Sequence, residues 1–88
     1  MRGRKLVGHN LRRIRVSKDV SQEQLAFDAG VDRSYLGGIE RGEENPSVDT
    51  LEKIASILTV EIRDFFDPMN GDETQAGLRP GSVRRQII

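Results

Sequence analysis

The sequence predicts an all-α fold, a compact five-helix domain, and three observations carry that prediction. Apolar residues recur at helical spacing in an early and a central segment. Two cap-and-staple signatures stand close together between those segments. Glycine or proline falls where three of the periodic stretches stop.

The elements follow in order. Val7, Leu11 and Ile14 fall at i, i+4 and i+7 with Arg12, Arg13 and Arg15 around the rest, which predicts a first helix over about residues 5 to 18. Ser21 can cap a second helix starting at Gln22, with Gln24 as its capping-box partner and Val20 stapled to Leu25. That helix runs through Ala26 and Ala29 to Gly30, a residue suited to a left-handed stop. Only Val31 intervenes before Asp32, which can cap a third helix over Arg33 to Arg41 while Val31 staples to Leu36. The third helix stops at Gly42, with Leu36 and Ile39 facing inward. Two short helices joined by so tight a turn cross steeply, as in a helix-turn-helix unit.

After a polar loop over residues 42–45, Pro46-Ser47 introduces a fourth helix, with Val48, Leu51, Ile54, Ala55 and Leu58 on one apolar face. A short fifth segment, Ile62 to Phe66, precedes the stop at Pro68. No periodicity follows. The expected organisation is one domain over 1–68 and a flexible tail over 69–88.

A chain of 88 residues supports one core, and without cysteine its stability must come from apolar packing and caps. No apolar run approaches the ~20 residues of a membrane span, and the first residues lack a secretion signal, so a cytoplasmic location is expected. The formal net charge is zero, yet it is unevenly distributed. Residues 1–20 carry seven Lys or Arg and one Asp, whereas residues 43–67 carry two basic and seven acidic side chains. Such polarity orients a molecule toward phosphates; two solvated faces of different charge are the alternative.

His9 is the single histidine and has no cysteine beside it, which leaves neither a metal site nor a nucleophilic triad. No phosphate-binding glycine motif is present. Catalysis and a cofactor are therefore not expected.

The motifs Leu11-Arg12, Ile14-Arg15, Ser21-Gln22-Glu23-Gln24-Leu25-Ala26, Asp32-Arg33-Ser34-Tyr35-Leu36, Ile39-Glu40-Arg41-Gly42, Asn45-Pro46-Ser47 and Thr50-Leu51-Glu52-Lys53-Ile54-Ala55 stand in order along the chain. Over residues 11–68 this pattern resembles the lambda-repressor-like, Cro-type (XRE) family of helix-turn-helix regulators. The segments around Asp32 and Ile39 look especially like the controller proteins of restriction-modification systems. The resemblance implies a double-stranded DNA partner, read by the third helix in the major groove.

It also implies roles for individual residues. Gln22 matches a DNA-backbone contact at a helix N-terminus, where free amides favour an anion. Arg33 and Ser34 match base-contacting positions, and arginine can bond both N7 and O6 of guanine. Tyr35 has two readings, a phosphate contact through its hydroxyl or packing at the domain edge. Gly38 matches a position that carries a base-reading side chain in relatives; either close backbone approach to DNA or tight helix packing would explain it. Arg15 and Glu40 match an internal salt bridge that leaves the arginine near a phosphate. Arg41, ending the third helix, and Arg12 on the first are further candidate phosphate ligands.

A single recognition helix covers too few base pairs to be selective, so a homodimer is expected, with Val60, Ile62, Phe65 and Phe66 as its candidate interface. Those four could instead fill the monomer core. Glu43-Glu44 is a candidate contact for RNA polymerase, with a solvated loop as the alternative. The rival function is an antitoxin-type protein whose main partner is a toxin.

Overall fold

The computed structural model describes residues 2–68, which form α1 (Arg2–Ser17), α2 (Gln22–Ala29), α3 (Arg33–Glu40) and α4 (Val48–Leu58), closed by a 3₁₀ helix at Ile62–Phe66. All the regular structure among these residues is helical. The fifth element is thus not an α-helix, as five residues before Pro68 suit the tighter 3₁₀ repeat used in short pieces. The expected tail over 69–88 lies outside the described residues.

Local sequence starts three of the helices. The side chains of Ser21, Asp32 and Ser47 accept from backbone amides of the turns that follow them. Gln24 does not complete the capping box expected at α2; its amide instead donates to Asp28 Oδ1 at 2.9 Å, one turn further on. The first helix begins at Arg2 rather than near residue 5. Thr59, a β-branched residue, ends α4 in the left-handed region at φ 60°, a position at which glycine or asparagine is usual.

Packing follows the apolar faces. Leu11, Leu25, Leu36, Ile39, Ile54 and Phe65 fill the centre of one core, ringed by Val7, Ile14, Ala26, Ala29, Leu51, Ala55 and Leu58. Val48, expected on the buried face of the fourth helix, is exposed, because it stands at the first helical position on the shoulder of that face.

α1 is the organiser, packing on both α3 and the 3₁₀ helix. At its crossing with α3 it carries Gly8, where an added Cβ would lie 2.3 Å from Ile39 O and 2.6 Å from Glu40 O. Only a residue without a side chain lets the two backbones approach so closely.

On its other flank Asn10, 1% exposed, holds the end of the 3₁₀ helix. Its Nδ2 donates to Phe65 O at 3.0 Å and Asp67 O at 2.8 Å, and its Oδ1 accepts from Arg13 NH2 at 3.0 Å. No helix of the described residues is long and apolar enough to cross a membrane.

Candidate nucleic-acid interface

The turn between α2 and α3 sets the geometry. Gly30 adopts φ 71°, its N–H donates to Phe27 O at 3.2 Å, and Val31 N–H donates to Ala26 O at 2.9 Å. These paired bonds stop α2 and redirect the chain. Asp32 then opens α3, accepting from the N–H groups of Ser34 at 3.1 Å and Tyr35 at 3.3 Å and from the Ser34 hydroxyl. The Ser34 hydroxyl, with the backbone bonds behind it, holds the Asp32 carboxyl below its ordinary value of 3.8.

At about 100° per residue, α3 turns Leu36 and Ile39 into the core and points Ser34 and Arg41 outward. Gly37 and Gly38 are the two shoulders of that outward face, and side chains from elsewhere fill both. A Cβ on Gly37 would stand 3.2 Å from Arg41 NH1 and 3.7 Å from Gln22 Oε1, so Gln22 and Arg41 converge above it. A Cβ on Gly38 would stand 2.7 Å from Glu44 Cγ.

Beneath this face lies a charged network. Arg15 Nε and NH2 donate to Glu40 at 2.6 and 3.0 Å, Arg15 NH1 donates to Val20 O at 2.8 Å, and Gln22 Nε2 donates to Glu40 Oε1 at 2.9 Å. The Arg15 and Glu40 side chains are 11% and 3% exposed, so this two-pronged pair is shielded from salt. It ties α1 and the start of α2 to the end of α3. Beside it, Lys5, His9, Arg12, Arg13, Glu40 and Arg41 line a cleft of about 300 Å³. With Glu40 committed to Arg15 and Gln22, the other walls of that cleft are predominantly basic.

All eight DNA-contact residues singled out from sequence, Gln22, Arg33, Ser34, Tyr35, Gly38, Arg41, Arg15 and Arg12, therefore lie on α3 or on the helix ends and flanks around it. Arg33 is exposed and has no acidic partner within 4.0 Å among the described residues. Arg41 is paired with Glu43 at 3.1 Å in the isolated molecule. Ser34 uses its hydroxyl hydrogen on the cap, leaving its oxygen as an acceptor. The Tyr35 ring packs against the core.

One expected interface residue is displaced. Phe65 is 0% exposed and belongs to the monomer core, so it is not part of a dimer surface. Glu43 and Glu44 lie in the loop after α3, which is tied to that helix by Glu43 N–H donating to Gly38 O at 2.9 Å, with the Glu43 side chain exposed beside Arg41.

Comparison with known proteins agrees with this geometry. The helix-turn-helix family HTH_3 matches residues 11–65. Control protein C.BamHI of Bacillus amyloliquefaciens is 46% identical over 65 residues, covering 73% of this chain and 80% of its own. The crystal structure of the restriction-modification controller protein C.AhdI from Aeromonas hydrophila superposes with a TM-score of 0.72 at 44% identity, covering 75% of this chain and all of that one. SinR, a master regulator for biofilm formation solved in complex with DNA, superposes with a TM-score of 0.66 at 39% identity, covering 69% of this chain and 98% of that one. The chain belongs to the XRE-type HTH_3 family of helix-turn-helix DNA-binding regulators.

Proposed function

We propose that residues 1–68 form a sequence-specific DNA-binding domain that seats α3 in the major groove of a pseudo-palindromic operator as a homodimer and thereby regulates transcription. The observation that carries this reading is the outward face of α3. Arg33 and Ser34 occupy its exposed first turn, Arg41 its end, and Gln22 reaches over Gly37 from the start of the neighbouring helix.

Each group has a distinct task. Arg33 reads a guanine edge, and Ser34 presents its hydroxyl oxygen to a neighbouring base. Gln22 uses the amide N–H not bound to Glu40 on a phosphate, at a helix terminus whose dipole favours an anion. Arg41, exchanging Glu43 for a phosphate, and Arg12 on the basic cleft extend the backbone contact, with Arg15 behind them fixing α1 to α3. Tyr35 serves as packing at the edge of the helix.

The second copy docks along one flank of α4. Val48 and Glu52 share that flank, both exposed. Phe66, 49% exposed, lines a cleft with Val48 and Pro46, while Val60 and Ile62 line one with Glu52 and Ala55. Val60, Ile62 and Phe66 thus supply an apolar strip for a two-fold contact. Relatives named as controller proteins and transcriptional regulators support regulation, and they lend nothing to an antitoxin role.

Selection of bound sequences from a random double-stranded pool at about physiological salt tests the proposal. An enriched inverted repeat is expected. Enrichment of an unrepeated half-site would remove the dimer, and no enrichment would remove sequence-specific binding.

A further inference from the structure

Gly38 is buried although it lies on the outward side of α3. The atoms nearest above it belong to one side chain. Cγ, Oε2 and Cδ of Glu44 stand 2.7, 3.2 and 3.4 Å from the place a Gly38 Cβ would take, so Glu44 occupies the berth that the missing side chain leaves open. The loop is pinned there, with Gly42 N–H donating to Ile39 O at 3.0 Å and Glu43 N–H donating to Gly38 O at 2.9 Å.

Among the described residues no Lys, Arg or His nitrogen lies within 4.0 Å of the Glu44 carboxylate, unlike Glu40 and Glu43, which both pair with arginine. An unpaired negative charge on a surface that otherwise offers Arg33, Arg41 and Gln22 to DNA opposes binding to every sequence alike. It favours only those sequences that present a hydrogen-bond donor to it. In the major groove such donors are exocyclic amino groups, N4 of cytosine and N6 of adenine, and a carboxylate accepts well from the former.

Resting on the DNA-binding reading above, we propose that Glu44 is a specificity-determining residue that reaches across Gly38 to accept a hydrogen bond from a base amino group. The glycine is then required as the floor of a borrowed side chain. Glu44 rejects bases that present only acceptors, guanine and thymine, by facing them with its own lone pairs.

The test repeats the random-pool selection with wild type, Glu44→Ala and Gly38→Ala, each first shown folded by circular dichroism. Gly38→Ala keeps the carboxylate but displaces it, and alanine is the better helix former, so loss of fold does not confound it. The wild-type half-site should contain one position strongly enriched in cytosine or adenine on the strand facing Glu44. Both variants should lose roughly five- to tenfold of the preference at that same position and leave the others intact. Glu44→Ala should in addition bind random DNA more tightly. Unchanged preferences in both variants would overturn the role of Glu44 while leaving DNA binding in place. Absence of any enriched sequence with wild type would overturn both.

Discussion

Glu40 accepts from Arg15 through both carboxylate oxygens and from Gln22 through one of them, with its side chain almost removed from water. Removing one partner of such a pair strands a buried charge at about 3 to 5 kcal/mol, so the network is a device of position as much as of stability. It sets where Gln22 and the end of α3 present themselves. Asp32 sits at the opposite, exposed end of α3, and its effect is testable by pH. Its folded-state carboxyl lies below 3.8, held there by the Ser34 hydroxyl and then by the backbone amides of Tyr35 and Ser34. A depressed value means that its stabilisation is present above the unfolded value and is lost as pH falls through the folded one. Thermal melts should therefore place Asp32→Asn below wild type at pH 7, with the gap shrinking below about pH 4. A gap that stays constant down to pH 2 would remove the ionised cap as its cause.

At the scale of elements, the close crossing of α1 over α3 depends on Gly8. Gly8→Ala sets a methyl group against the backbone carbonyls of Ile39 and Glu40, neither of which can swing aside, and should cost about 1 to 3 kcal/mol in urea unfolding. An unchanged midpoint would show that the helices can part without penalty. None of this was visible in the sequence, where Gly8 reads as an ordinary glycine within a periodic stretch. Ser21, Asp32, Ser47 and Gly30 were legible because the backbone groups a cap bonds lie only two to four residues away. Asn10 was not, because its partners at Phe65 and Asp67 are 55 and 57 residues along the chain. Thr59 stops α4 without the glycine or asparagine that marks such a stop. Gly38 was recognised as an anomaly, but the side chain that fills its place belongs to a loop whose path only the fold reveals. The fifth segment was located at Ile62–Phe66, but its type was not legible, since apolar spacing over five residues does not separate the α from the 3₁₀ repeat.

For the molecule as a whole, zero net charge conceals a division of faces. The basic cleft and the Arg33–Arg41 face lie around α1 and α3, whereas Glu52, Glu61 and Asp64 accompany the apolar strip along α4 and the 3₁₀ helix. The contacts proposed for DNA and for a second copy thus fall on separate surfaces. Phe66→Asp should convert the proposed dimer to monomer in equilibrium sedimentation at tens of micromolar while leaving the helical circular dichroism intact; an unaltered mass would move the interface elsewhere. The central claim is that α3 reads bases while the helix ends around it grip phosphates. It is tested most directly by titrating wild type, Arg33→Ala and Arg41→Ala against the selected operator, its single-base-pair variants and random DNA at several salt concentrations. Arg33→Ala should lose about 1 to 3 kcal/mol of discrimination at one base pair. Arg41→Ala should weaken binding to all sequences alike and reduce the salt slope by about one. Equal losses on operator and random DNA for Arg33→Ala would contradict the account.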